Sequence, residues 1–191
     1  MSSAATSRHQ VSLRLPESWV ILDLDPATAL ASIRIRAERA FPGDGNAASR
    51  ARLEAFLRLT TARAQDIGFH SVAGYFATLD EAPWSLIASA AVVVLDSPIS
   101  LTSDELAEGL TGQGRGGSEV ELELGPALRR VNRTRTLVPD TDEEIEVVSV
   151  QYVASVPQGV AILQFSTPNL TLEREFVDLF DAIAATAKLV E

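Results

Sequence analysis

The alternation of apolar and polar positions predicts an ordered series of strands and helices, clearest in the last third of the chain. Residues 143–156, EEIEVVSVQYVASV, are rich in β-branched and aromatic side chains, and Val160–Phe165 has the same character three residues later. That spacing predicts an antiparallel hairpin. Pro157 suits the first central position of a type I turn and Gly159 its last. Thr167-Pro168 ends the second strand, because proline has no N–H for a ladder. Leu172, Phe176, Leu179, Phe180, Ile183, Ala187 and Val190 then recur at three-and-four spacing. They predict a one-sided helix with Thr171 as its N-cap and Glu173 and Glu175 in its first turn.

Upstream, Gln10–Leu15 and Trp19–Leu24 have strand patterns separated by a turn at Pro16 and are expected to form a strand pair. Pro26 opens a helix whose apolar face carries Leu30, Ile33, Ala37 and Phe41, and Pro42–Asn46 stops it. Ala48–Gly68 predicts a longer helix with Gly68 as its C-terminal cap. Phe69–Leu79 and Ser85–Leu95 form a second predicted hairpin. Thr102 or Ser103 caps a short helix through Leu110, and Thr111–Ser118, with four glycines in eight residues, is a loop. Glu119–Leu124 alternates acidic and aliphatic residues, Gly125-Pro126 turns the chain, and Ala127–Leu137 is another strand. An acid-rich connection then leads to the final hairpin. Strands clustered together with helices segregated from them predict an α+β fold. The expectation is a single domain over residues 10–191, a mainly antiparallel β-sheet flanked by helices, behind a flexible tail at residues 1–9.

With 191 residues and 46% hydrophobic content, the chain can bury roughly 70% of the surface exposed by its unfolded form. It contains no cysteine, which excludes disulfides, thiolate metal sites and cysteine nucleophiles and fits a reducing compartment. The first ten residues lack the apolar segment of a signal peptide, and no apolar run has membrane-spanning length. The expected location is therefore cytoplasmic. A net charge of −10 argues against nonspecific nucleic-acid binding, since phosphate neutralisation needs cationic side chains. The charge is unevenly spread, at +2 over residues 1–75 and −12 over residues 76–191, and only one of sixteen cations is a lysine.

Three segments carry a resemblance to a known family. They are Leu15-Pro16-Glu17-Ser18-Trp19, Gly125-Pro126-Ala127-Leu128-Arg129 before a strand, and the ending Ile162–Asn169 with Phe180-Asp181-Ala182-Ile183-Ala184. Together they resemble the PsbP-like superfamily, and more narrowly actinobacterial members related to LpqN and DcrB. The resemblance spans roughly Gln10 to Val190. It implies an α/β/α sandwich whose roles include photosystem accessory subunits, a regulator that binds a small GTPase, and lipoproteins. No shared catalytic residues come with that fold, and this chain departs from the lipoproteins in having neither signal peptide nor lipidated cysteine.

Candidate chemistry is sparse. Val20–Asp25 resembles the opening of a haloacid-dehalogenase phosphatase, but Ala27 stands where that family needs threonine and parallel βα alternation is missing. Asp25 and Pro26 are better explained as a helix start. Gly112, Gly114 and Gly117 match a dinucleotide fingerprint only in letters, because a helix precedes them and a strand follows. His9 and His70 lack the spacing of a helical metal pair, and no Gly-x-Ser-x-Gly elbow is present. The acids from Asp140 to Glu146 lack the spacing of a calcium loop and are assigned to a solvated connection. No cofactor, metal or enzymatic activity is expected.

Arg129, Arg133 and Arg135 share one strand face, offering an acidic protein partner a cationic surface or pairing internally with Glu119, Glu121 and Glu123 across the sheet, the latter preferred. Trp84 beside Pro83 is a further protein-binding candidate if exposed, although anchoring at the core edge is preferred. The leading functional expectation is a non-enzymatic adaptor or regulatory module for a protein partner, with a homodimer through an isologous contact as one form of it. The alternative is a small-molecule or ion-binding domain using a cleft between sheet and helices.

Overall fold

The computed structural model describes residues 10–69, 71–78, 85–96, 117–139, 141–157 and 159–190. Its elements are β1 (Gln10–Ser12), β2 (Val20–Ile21), α1 (Ala29–Ala40), α2 (Ala47–Ile67), β3 (Ser71–Thr78), β4 (Ser85–Asp96), β5 (Ser118–Leu122), β6 (Gly125–Leu137), β7 (Glu144–Val156), β8 (Gly159–Thr167), α3 (Glu173–Ala184) and β9 (Lys188–Val190), with short 3₁₀ turns before α2 and α3. The fold is α+β. Seven strands form one sheet in the order β2-β3-β4-β8-β7-β6-β5, antiparallel throughout, while β1 and β9 pair as a separate two-stranded ribbon.

The period-two pattern divides each central strand between two cores. From β4, Ile87, Ala91 and Val93 face α1 and α2 and pack with Phe41, Leu53, Phe56 and Leu57. Ala88 and Ala90 point the opposite way, towards Phe165, Phe176, Phe180 and Ile183. On β7, Ile145 and Val147 join the first cluster, and Val150, Tyr152 and Ala154 join the second. Helix α2 ends as its sequence predicts, with Gly68 at φ 80° donating its N–H to the Ala64 carbonyl. This left-handed position favours glycine.

Both predicted hairpins form. Tyr75 faces Ala88 across β3 and β4, and Val156 faces Gly159 at the β7–β8 reversal. Four expectations are corrected. The final helix stops at Ala184, and residues 188–190 form a strand paired with residues 10–12. The Thr186 hydroxyl helps end it, donating to the Ile183 carbonyl at 2.7 Å while accepting the Arg14 N–H at 3.0 Å. The two N-terminal strands accordingly pair with β9 and β3 and not with each other. Thr171 does not cap α3; it lies in the 3₁₀ turn Leu170–Leu172. The β5–β6 reversal uses Glu123-Leu124, since Leu122 pairs with Gly125 and Glu121 with Pro126; Gly125, at φ 112°, accommodates the re-entry. The expected helix at 102–110, most of the loop at 111–118, His9, His70 and Trp84 lie outside the described residues.

Where β8 ends, Pro168 would oppose Ile87 without an N–H to offer. Side chains replace the missing ladder bonds: Asn169 Oδ1 accepts the Ile87 N–H at 2.8 Å, and the Thr167 hydroxyl donates to the Ile87 carbonyl at 2.6 Å. This junction carries the chain from the central strand into α3.

Candidate functional site

The arginine row on β6 is built by strand register. Arg129, Arg133 and Arg135 face Tyr152, Val148 and Glu146 on β7, so all three lie on the α3 side of the sheet. Arg129 makes a two-pronged ion pair with Asp181 of α3, Nε to Oδ1 at 2.7 Å and Nη2 to Oδ2 at 2.9 Å. The Tyr152 hydroxyl donates to the same carboxylate. Arg133 pairs with Glu173 at the start of α3, and Arg135 Nε lies 2.9 Å from Glu146. Internal pairing therefore occurs with partners other than those expected. Strand β5 reaches no farther along β6 than Arg129, which faces Ser118, so Glu119 and Glu121 stand opposite Leu128 and Pro126.

Exposure grades the row. The Arg129 side chain retains 20% of its accessible surface, against 50% for Arg133 and 73% for Arg135. Burial pushes the Tyr152 phenol well above the ordinary tyrosine pKa, assisted by its bond to Asp181 and opposed by Arg129. An unfolded tyrosine ionises near about pH 10. The folded state retains its proton beyond that point, so this contribution is complete below about pH 10 and diminishes as pH rises towards the folded value. Tyr152→Phe is expected to flatten the alkaline fall in stability. Urea midpoints measured between about pH 9 and pH 11 for both proteins would test this, and equal slopes would contradict it.

The aspartates after β2 organise a turn. Asp23 accepts the Asp25 N–H at 3.0 Å and the Thr28 hydroxyl at 2.6 Å, and the Thr28 bond leads in lowering its pKa. Asp25 accepts the Ala27 N–H at 2.9 Å, two residues ahead of the helix itself. Among the described residues, no group of three or more His, Asp or Glu side chains is arranged to hold a metal ion.

A groove that no sequence motif announced lies between α3, the β3–β4 hairpin and the Pro16–Trp19 turn. It offers about 370 Å³ of space open to solvent, walled chiefly by Trp19, Tyr75, Leu86, Leu172, Phe176 and Leu179, with Glu175 the charged residue among its described lining. Local structure explains the wall. The Trp19 N–H closes the turn onto the Pro16 carbonyl at 3.0 Å, and the Trp19 ring stacks on Tyr75 with centroids 6.0 Å apart and planes inclined by 24°. Trp19 is buried, whereas Tyr75, Leu86, Leu172 and Leu179 are half-buried. The sequence signal was the Trp19 anchor beside a turn proline; its pairing with Tyr75 is a tertiary contact.

On the opposite face, a smaller cavity of about 20 Å³ lies beneath α2, where Thr60, Arg63, Ser89, Gln164 and Ser166 interrupt an otherwise apolar lining. No described helix is long and apolar enough to cross a membrane.

No protein-family model matches the chain. No curated protein matches it. Among solved structures, the chain is similar to LpqN of Mycobacterium tuberculosis, a protein involved in cell envelope biogenesis. Identity is 11%, coverage is 96% of this chain and 85% of that one, and the TM-score is 0.47.

Proposed function

We propose that this chain is a non-catalytic binding domain for a small, largely apolar ligand, neutral or cationic, held in the groove between α3 and the β3–β4 hairpin. The observation that carries this reading is the 370 Å³ groove with its aromatic and aliphatic walls. Its size and lining are those of small-molecule sites, where apolar contact provides affinity and a few polar groups orient the ligand. The stacked Trp19 and Tyr75 rings present rigid aromatic surface with little side-chain entropy to lose on binding. Glu175 in the lining and the net charge of −10 disfavour an anion there. This reading is preferred to the adaptor because the least exposed cation of the arginine row, Arg129, already has a bidentate carboxylate partner.

The test is calorimetric titration of the full chain with three probes of one shape: naphthalen-2-ylmethanol, naphthalen-2-ylmethylammonium and 2-naphthoate. The alcohol and the ammonium are expected to bind at least about tenfold more tightly than the carboxylate. Leu179→Arg is expected to weaken both by at least about tenfold while leaving the urea midpoint near that of the wild type. No saturable heat from any probe, or equal binding by the Leu179 variant, would overturn the reading.

A further inference from the structure

The cavity beneath α2 is independent of the groove and lies on the other face of the sheet. Its polar lining has a sequence-level origin. Register places Ser89 of β4 opposite Ser166 of β8, and Ser166 opposite Ser149 of β7, so a hydroxyl row crosses the sheet in a layer otherwise filled by apolar residues. The neighbouring row puts Gln164 beside Ala91. Ser149 and Ser166 bond to each other through their hydroxyls at 3.0 Å. Ser89 and Ser166 are buried, while Thr60, Arg63 and Gln164 are half-buried, so these polar groups are set among apolar neighbours that include Phe56, Leu59, Phe69 and Val147.

Arg63 is the charged residue in this lining. Among the described residues its guanidinium has neither an acidic partner nor a hydrogen bond, and burial is the cause that lowers its pKa. Every ion-paired arginine on the α3 face has a carboxylate. A desolvated cation without a partner costs stability, and local rules of this kind are broken most often where function requires it. The guanidinium presents a planar fork of N–H donors, a shape matched by a carboxylate. The 20 Å³ of enclosed space suffices for one buried oxygen-sized group.

We propose that this cavity binds the carboxylate end of a small organic acid. One carboxylate oxygen enters beside the Ser89 and Ser166 hydroxyls, the Arg63 fork donates to the carboxylate, and the Gln164 carboxamide supplies a further donor. The remainder of the acid projects out of the cavity.

The test uses the full chain with acetate as probe, against chloride and inorganic phosphate at matched ionic strength. Acetate is expected to raise the melting temperature saturably and to shift the Arg63 Nε–H resonance. Arg63→Met is expected to weaken acetate binding at least about tenfold while melting no lower than the wild type in chloride. The wild-type resonance decides the matter without reliance on the variant's folding. Absence of an acetate-specific shift at Arg63, equal stabilisation of wild type and Arg63→Met, or binding of phosphate in place of acetate would each overturn the assignment.

Discussion

Arg129→Glu is expected to lower the free energy of unfolding by about 3 kcal/mol, the range for breaking a largely buried ion pair, reduced here because Asp181 retains 40% exposure. The change removes both guanidinium bonds to Asp181 and sets a second carboxylate beside it. It also disturbs the Tyr152 hydroxyl bonded to the same acid, in a residue with 1% exposure. Arg135→Glu, in a side chain 73% exposed and paired with Glu146, is expected to leave the urea midpoint close to wild type, as surface pairs contribute little. Urea unfolding of the two variants measures the contrast. A wild-type midpoint for Arg129→Glu would show that the row is free for a partner after all.

Phe180→Ala is expected to cost about 3–5 kcal/mol, the range for deleting a fully buried aromatic ring. Phe180 has no exposed surface. It stacks on Phe165 of β8 with centroids 5.2 Å apart and meets Phe176 at 5.8 Å, so its loss removes packing between α3 and the sheet as well as ring area. Because Phe176 also lines the groove, the same change is expected to weaken naphthalen-2-ylmethanol binding. Leu30→Ala, at a residue 51% exposed, is expected to stay within about 0.5 kcal/mol of wild type. Comparable losses for Leu30 and Phe180 would contradict the described core.

The long periodic segments were legible because local pattern and tertiary environment agree. Residues 144–156 alternate between two cores, and the α2 sequence ends in a glycine that adopts the left-handed conformation expected of a C-cap. The chain ends were less legible. Ala187 and Val190 continue the spacing of α3, yet residues 188–190 pair with 10–12, a partnership separated by almost the whole sequence. Short segments hold too few positions for their period to decide between helix and strand. The arginine row's shared face follows from period two, but its acids come from α3, through the way the helix crosses the sheet, and from β7, where register sets Glu146 opposite Arg135. Both candidate ligand sites depend on such crossings. Trp19 meets Tyr75, and Arg63 lines one cavity with Ser89 and Gln164, without any motif linking them.

The most direct test of the central claim is an NMR titration of the isotope-labelled full chain with naphthalen-2-ylmethanol, following side-chain resonances. Saturable shifts concentrated at the Trp19 indole N–H and the methyls of Leu86, Leu172 and Leu179 are the predicted result. Shifts centred elsewhere, or none at these residues at saturating probe, would contradict a ligand site in the groove.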